Sequence, residues 1–204
     1  GILALIALLT GAGTSAFSFT EKGRQAQLDF QVQQMERFGV TVTDEMYARM
    51  EEQSQKRAAY APFLAIVGTF IIFPIIILVV SGIFYAVFNA IMGGTAEFKQ
   101  VMAVTSHAWM VPTLGAIFGG IMNFARGSIS SSVANLGLLL PVLKEGSFAA
   151  NLAGAVDLFQ IWFVLTLSIG LGVLYKRKTS SIATGLFVVY AIVAIGLSYF
   201  LRKG

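Results

Sequence analysis

The amino-acid sequence predicts an all-α integral membrane protein: a bundle of five transmembrane helices with a small extramembrane helical hairpin after the first span. Hydrophobic residues make up 56% of the 204 residues and charged residues only 12%, whereas soluble domains average about 25% charged residues. Thirteen of the 24 charged residues lie between Glu21 and Arg57. The remaining sequence is therefore almost free of charge, as a hydrocarbon solvent requires.

Five charge-poor segments are long enough, or nearly so, to cross a bilayer, since a helix needs about 20 residues to do so. The predicted spans are residues 1–19, 60–92, 100–125, 146–175 and 179–201. Pro62 suits the start of the second span, and Pro74 in its middle is expected to kink it. Gly93 and Gly94 end that span, and Thr95 is expected to cap the next helix.

The sequence is accordingly divided into a transmembrane helix at 1–19, an extramembrane hairpin at 20–59 and a four-helix transmembrane bundle at 60–204. The tight polar turn between the last two spans predicts that they are antiparallel neighbours. Residues 127–143 contain an apolar stretch of only about half a span. We expect that stretch to be re-entrant or to lie on the membrane surface.

The charged segment predicts two short helices. Leu28, Val32 and Met35 recur at helical spacing on one face, and Gly39 marks a C-terminal stop. Thr43 is expected to cap the second helix. The apolar face of this hairpin packs within the protein, lies on the membrane surface or binds a partner.

Short loops rich in Lys and Arg favour the cytoplasm, and residues 176–178 form such a loop. The rule predicts a cytoplasmic N-terminus, an external hairpin and an external C-terminus. Arg202 and Lys203 then lie outside, against the rule. Since the sequence opens with Gly1 and is apolar from its first residues, we expect a leading segment to precede it.

The net charge is +4 and the pI is near 9.5. The excess cations form short clusters at the ends of apolar runs, where they meet lipid headgroups. The predicted partners are therefore the lipid bilayer and other membrane protein subunits, not nucleic acid.

No catalytic site is predicted. The absence of cysteine excludes disulfides, thiolate metal sites and Cys nucleophiles. Nucleotide and zinc motifs are missing, and the run Ser128–Ser132 has no basic partner that would make a nucleophile. The sequence thus predicts a protein that is not an enzyme and binds no metal or cofactor.

One candidate polar site lies within the spans. Asp157 is the only acidic residue inside a predicted span, and Asn151 and Gln160 are placed to solvate it. Such a carboxylate serves either a structural polar contact or transport. His107, the single histidine, is either a haem or chlorophyll ligand or a polar side chain bonded to a neighbouring helix.

Gly115 and Gly119 form a G-x-x-x-G motif, followed by Gly120. Such spacing lets two helices approach closely. We expect these glycines to pack helices inside the bundle rather than to form a dimer.

The order of these features resembles the bacterial branch of the Yip (Ypt-interacting protein) family of five-span membrane proteins. The motifs that carry the resemblance are Gly93-Gly94-Thr95-Ala-Glu-Phe-Lys-Gln, His107-Ala-Trp-Met-Val-Pro112, and Asp157-Leu-Phe-Gln-Ile-Trp162 leading to Gly170-Leu-Gly172. The resemblance implies a bacterial inner-membrane location, a cytoplasmic N-terminus, an external C-terminus and no catalytic residues. Eukaryotic relatives bind Rab-type GTPases, but no GTPase-binding motif can be mapped onto this sequence.

Three functions follow as hypotheses. The first is an accessory or scaffold subunit of a larger membrane complex such as an ABC exporter, because some bacterial relatives look like partners of such exporters. The second is a small transporter or channel with a polar path near Asp157. The third is a haem- or pigment-binding subunit through His107.

Overall fold

The computed structural model describes residues 1–15, 17–127, 129, 134–140, 142–144 and 146–201. Within them the chain is helical, and the only β pairing is an isolated bridge between Asn135 and Asp157. The α-helices are α1 (Ile2–Ser15), α2 (Glu21–Arg37), α3 (Asp44–Arg57), α4 (Ala61–Tyr85), α5 (Phe98–Ala108), α6 (Met110–Arg126), α7 (Phe148–Ala155), α8 (Leu158–Tyr175) and α9 (Thr179–Phe200). Shorter elements are 3-10 turns at Phe17–Phe19 and Leu136–Leu139 and a π-helix at Ala86–Ile91.

In the described part of the chain, four helical segments are long and apolar enough to cross a membrane: Phe63–Ile91, Phe98–Arg126, Leu158–Tyr175 and Thr179–Phe200. The first predicted span is a shorter apolar helix, α1, which packs against both α4 and α6. Large apolar side chains cover the outer faces of α4 and α9, as lipid contact requires. The membrane character of the chain is therefore confirmed, and the count of five spans stays a prediction.

The first helix of the charged segment ends, and the second begins, where the sequence predicts. Thr20 caps α2 by accepting a hydrogen bond from the Gly23 N–H at 3.0 Å. The chain leaves α2 through Gly39 at φ +80°, a conformation that suits glycine. Thr43 then caps α3 by accepting from the Met46 N–H at 3.3 Å. The predicted stop at Gly39 and the predicted cap at Thr43 are both confirmed.

The start of the third predicted span differs from expectation. Glu97 rather than Thr95 caps α5, and the Glu97 N–H donates to the Gln100 side chain at 2.9 Å in a capping box. Asn89 holds the loop extended beyond Thr95 by donating to the Ala96 carbonyl at 2.7 Å. The prediction of a Thr95 cap was wrong because this tertiary bond delays the helix.

Two prolines act differently on the long spans. Helix α4 continues through Pro74, although Pro74 has no N–H to bond the Phe70 carbonyl, and a π-helix follows at Ala86–Ile91. The third predicted span is divided at Trp109 into α5 and α6. Pro112 explains this division, because it lacks the N–H that would bond the carbonyl four residues earlier, at Ala108.

The fourth predicted span is not one helix. Val156 and Asp157 have extended backbone between α7 and α8, so the prediction of a continuous helix over 146–175 was wrong. Residues 134–136 fill the break, since the Leu136 N–H donates to the Val156 carbonyl at 2.9 Å and the Leu158 N–H to the Ala134 carbonyl at 3.1 Å. An aspartate at a helix start explains the break, because Asp is a preferred N-cap.

Several predictions fall on residues outside the described part of the chain. These are the serine run apart from Ile129, residue 141 of the apolar stretch, and the terminal cations Arg202 and Lys203. Within that stretch, the turn Leu136–Leu139 contacts α7. The choice between a re-entrant and a surface position stays a prediction.

The bundle has two distinguishable ends. At the hairpin end, the Phe17 ring meets Phe124 of α6 edge to face at 5.4 Å. At the opposite end, here called the turn end, α8 and α9 are joined by a tight turn in which Lys176 has φ 52°. These two helices are antiparallel neighbours, as predicted. Between the ends, a core of buried side chains joins α5 to α8 and α9: Phe88, Val101, Ala108, Leu167, Leu171 and Ile182.

Candidate functional site

Helix α8 runs antiparallel to the α5–α6 segment in a register that three contacts fix. The contacts are Val104 against Gly170, the Trp109 and Phe163 rings at 5.2 Å, and Gly115 against Phe159. By this register Asp157, at the start of α8, lies level with Ile117 of α6. Helix α6 continues for about nine residues more, or about 14 Å along its axis, to Arg126. Asp157 is therefore recessed from the hairpin end of the bundle.

The lengths of the helices give the depth of this recess. The segment Phe98–Arg126 has 29 residues, about 43 Å, which matches a bilayer with its headgroups. Helix α8 has 18 residues, about 27 Å, which is less than the hydrocarbon thickness of about 30 Å. A bilayer centred on Phe98–Arg126 places Asp157 about 7 Å below the hydrocarbon boundary on the hairpin side.

A groove opens beside Asp157 and has a volume of about 670 Å³. Helix α6 contributes small side chains to one wall, α8 contributes its first turn, and α9 contributes the other wall. The lining residues are Pro112, Gly115, Ala116, Gly119, Gly120, Asn123, Ile129, Ala134, Ala155, Asp157, Phe159, Gln160, Tyr190, Val193, Ala194 and Leu197. Asp157 is the only charged residue among the described residues of this lining.

Two side chains fix the polar end of the groove. Asp157 caps α8 by accepting a hydrogen bond from the Gln160 N–H at 3.0 Å. The Tyr190 hydroxyl donates to the Ala155 carbonyl, which is left without a helical partner where α7 ends. Both bonds stabilise the backbone between α7 and α8. The Asp157 carboxylate at this break is therefore held in a fixed position.

The four residues of the predicted polar site are only partly brought together. Asp157 and Gln160 share the groove. Asn151 lies on α7, and its buried Nδ2 has no hydrogen-bond partner among the described residues. His107 is exposed on α5, and its Nδ1 lies 2.7 Å from the Ala103 carbonyl of its own helix. Among the described residues, the bond found for His107 is thus to its own helix and not to a neighbouring one.

The three glycines of the packing motif face three different surroundings. A Cβ on Gly120 would overlap the carbonyl oxygen of Gly13, so α6 and α1 touch backbone to backbone there. A Cβ on Gly115 would lie 2.9 Å from the Phe159 ring of α8. Gly119 lines the groove. Glycine at these positions thus allows close helix packing and leaves room for the groove.

The groove is closed toward the turn end. Beyond Pro112, the space between α5 and α8 is filled by fully or almost fully buried apolar side chains, among them Val101, Ala108, Leu167 and Leu171. Val193 and Leu197 are about half exposed on the other side of the groove. The described residues therefore form a one-sided recess that faces the hairpin end and the surrounding lipid.

A second polar cluster, at the turn end, escaped the sequence reasoning. The Tyr175 hydroxyl donates to the Asn89 side-chain oxygen at 2.7 Å, and Arg177 donates to the Met92 carbonyl at 2.8 Å. The Phe88 ring stacks on Tyr175 at 4.7 Å. Asn89, a polar amide at the end of an apolar run, is the sequence feature that could have indicated this cluster. The cluster ties the two turn-end loops together.

Among the described residues, no group of three or more His, Asp or Glu is arranged to hold a metal ion. A family model, the Yip1 domain, matches residues 1–201. Comparison with curated proteins and with solved structures gives no match.

Proposed function

Because this chain belongs to the Yip1 domain family, we propose that it is a non-enzymatic accessory or scaffold subunit of a larger membrane assembly such as an ABC exporter. The proposal includes five spans, a bacterial inner-membrane location, a cytoplasmic N-terminus and an external C-terminus. Its extramembrane helices are the surface that meets the partner subunit.

The observation that carries this proposal is the exposure of α3. None of the residues Asp44–Arg57 is buried, and the turn before α3 leaves Phe38 64% exposed. An amphipathic helix that packs on its own protein buries its apolar face, whereas Met46 and Met50 of α3 remain only half-buried. The helix is thus available to a partner.

Polar contacts support α3 in a defined position. The Tyr47 hydroxyl donates to the Asp29 carboxylate of α2 at 3.2 Å, and Gln25 donates to the Tyr47 oxygen at 2.5 Å. Helix α2 itself packs tightly against the preceding turn, Phe17–Phe19, since a Cβ on Gly23 would overlap the Phe17 carbonyl. A helical hairpin that is ordered before binding loses less conformational entropy when a partner docks.

Site-specific photocrosslinking in native membranes tests the proposal. A photoreactive residue at Gln53 or Gln55, both exposed on α3, should crosslink to one discrete membrane subunit. The same probe at Ile192, which is exposed on α9, should crosslink mainly to lipid. Purification in mild detergent as a monodisperse, partner-free monomer, with no protein crosslink from α3, would contradict the proposal.

The recess at Asp157 favours transport as a second candidate function. A carboxylate at membrane depth marks ion or proton pathways in many membrane proteins. The tightly packed core toward the turn end argues for the accessory role instead, since transport needs that core to open. Flux in proteoliposomes that is unchanged by Asp157→Asn would remove the transport candidate.

Binding of haem or pigment through His107 is a third candidate. The exposed imidazole is accessible from lipid, although one nitrogen is engaged with its own helix. An absorption spectrum of the purified protein without visible bands would eliminate this candidate.

A further inference from the structure

Cations from two parts of the chain are gathered at the turn end of the bundle. Lys99 lies in the first turn of α5, directly after the capping residue Glu97, and the turn between α8 and α9 contributes Lys176, Arg177 and Lys178. All four cationic residues are exposed, and they are here called the basic patch. With Glu97 included, four positive charges and one negative charge leave a balance of +3.

Direct contacts hold the two parts of the basic patch together. The Nη2 of Arg177 donates to the Met92 carbonyl at 2.8 Å. A Cβ on Gly94 would lie 2.6 Å from the Tyr175 ring, so the loop before α5 and the turn after α8 touch. The Tyr175 hydroxyl also donates to Asn89. The cations are thus presented by loops in fixed relative positions, which lowers the entropy that binding costs.

The basic patch is not neutralised within the described part of the chain. The ion pairs found there join Arg49 to Glu45 and Lys56 to Glu52, and both lie in α3. The side chain of Glu97 is engaged in the capping box at the start of α5. The turn end therefore presents net positive charge, which attracts an anionic occupant.

The helix register places the basic patch in the headgroup layer. Val104 contacts Gly170, so Lys176, six residues after Gly170, lies level with Phe98, six residues before Val104. Phe98 begins the segment of 29 residues whose length of about 43 Å matches a bilayer with its headgroups. The hydrocarbon boundary on this side then lies about 7 Å deeper. Lysine and arginine side chains at this level reach the phosphates of the surrounding lipids.

Exposed apolar side chains adjoin the basic patch on its membrane side. Val173, in the last turn of α8, is 75% exposed, and Ile91, next to Met92, is 77% exposed. The Phe98 ring packs edge to face on Tyr85 at 5.8 Å. A phospholipid contacts such side chains with its acyl chains while its phosphate meets the cations. The surface therefore fits a lipid better than an acidic segment of a soluble protein.

From these observations we propose that the basic patch binds the phosphate of one anionic phospholipid of the surrounding leaflet. The guanidinium of Arg177 is the anchor: the Met92 carbonyl holds one nitrogen, and the other donors form a forked pair of hydrogen bonds to the phosphate. Lys99 and Lys178 add positive charge from the two loops. The site does not rest on the accessory role, since α3 belongs to the opposite end of the molecule.

Native mass spectrometry of the full chain tests the choice of lipid. Phosphatidylglycerol, phosphatidylethanolamine and phosphatidylcholine with identical acyl chains are added in turn to the detergent-solubilised protein. All three carry a phosphate, but an ammonium in the last two cancels its charge. We expect phosphatidylglycerol to be retained about tenfold better than the other two.

A matched pair of arginines tests the position of the site. Arg24 also donates to a backbone carbonyl, that of Phe19 at 3.3 Å, but it lies at the hairpin end. Arg177→Gln should reduce the retention of phosphatidylglycerol about tenfold, because the forked pair of charge-assisted hydrogen bonds is lost. Arg24→Gln makes the same change in net charge and should alter retention less than about twofold.

Three further variants separate a built site from a diffuse positive field. Lys99 and Lys178 are exposed, so Lys99→Gln and Lys178→Gln should fold normally, and each should reduce retention about fivefold. Arg177→Lys keeps the charge but loses the planar fork, so we expect it to retain phosphatidylglycerol about threefold less well than the wild type.

Four results would overturn the proposal. One is equal retention of the three lipids by the wild type. The second is an equal loss in Arg177→Gln and Arg24→Gln, or no loss in either lysine variant. The third is wild-type retention by Arg177→Lys, which would show a diffuse field without a site. The last is competition by glycerophosphoglycerol as effective as that of the lipid, because this compound has no acyl chains and would assign the patch to a soluble anion.

Discussion

The hydroxyl of Tyr175 donates a 2.7 Å hydrogen bond to the side-chain oxygen of Asn89, 86 residues earlier in the sequence. Asn89 in turn donates to the Ala96 carbonyl, so one amide holds both the end of α8 and the loop before α5. Two turn-end loops are thereby fixed to each other. Such contacts fix the axial positions of the helices relative to one another. The apolar surfaces that face lipid do not determine those positions.

Loss of this bond should destabilise the bundle. Tyr175→Phe keeps the ring stacked on Phe88 but leaves the Asn89 oxygen without the hydroxyl. We expect the free energy of unfolding in detergent to fall by about 1 kcal/mol, seen as a lower thermal midpoint. Tyr60→Phe, at a half-exposed tyrosine, is the control and should change little. Equal midpoints for the two variants would count against the bond.

The contact between Gly120 and Gly13 should not tolerate a methyl group. Gly120→Ala places its Cβ against backbone that cannot move aside, so we expect about 1–3 kcal/mol of destabilisation from overpacking. The control is Gly196→Ala in α9, where no atom lies within 4 Å of the added Cβ. That change should be neutral or stabilising, because Ala is the better helix former. Thermal midpoints of both variants in the same detergent check the prediction.

The cap at Asp157 should contribute to stability separately from its charge. Asp157→Ala removes the acceptor for the Gln160 N–H and should cost about 1 kcal/mol. Asp157→Asn keeps an acceptor, and its stability should stay close to that of the wild type. Denaturation midpoints of the two variants, measured side by side, distinguish the roles. If Asp157→Asn lost as much stability as Asp157→Ala, the stabilising effect would come from the charge of Asp157 and not from its role as a helix cap.

The α2–α3 contact should weaken in the alkaline range. Burial raises the pKa of the Tyr47 phenol above its ordinary value, and the hydrogen bond to Asp29 and the charge of that carboxylate raise it further. The neutral phenol is thus the form that the folded hairpin favours. Its stabilising effect is complete below the ordinary pKa of about 10 and is lost as the pH rises through the folded value.

A spectroscopic titration checks this pKa. The difference in tyrosinate absorbance between the wild type and Tyr47→Phe isolates the one phenol, and its midpoint should lie above about 10. Asp29→Asn should move that midpoint down. A wild-type midpoint at or below the value of a free tyrosine would contradict the contact.

Much of the fold could be predicted because its signals are local. Charge-free stretches predict apolar helices, and the turn signals at Gly39 and Thr43 mark the hairpin in the structure. The break at Asp157 could have been predicted from the same rules, because an Asp after Gly154 is a helix-start signal. It was missed because the apolar run around it suggested one continuous span.

The candidate site could not be predicted to the same extent, because it depends on helix register. The contact between Gly115 and Phe159 shows that α8 starts well short of the end of α6. This is a tertiary contact, which the sequence does not reveal. The bond between Tyr190 and Ala155 likewise joins helices whose relative heights the sequence does not encode locally. The roles of Asp157 and Gln160 as groove residues follow from this register and not from their spacing.

Labelling of single cysteines in sealed membrane vesicles tests the topology most directly, because the chain contains no cysteine of its own. Cysteines are placed at Gly1, at Gln55 in α3 and at Lys178 in the turn between α8 and α9, and are probed with an impermeant reagent. We predict that Gln55→Cys reacts only from the external face and that Gly1→Cys and Lys178→Cys react only from the cytoplasmic face. Reaction of Gln55→Cys and Lys178→Cys from the same face would contradict the three crossings between them. Reaction of Gly1→Cys together with Gln55→Cys would show that α1 does not span the membrane.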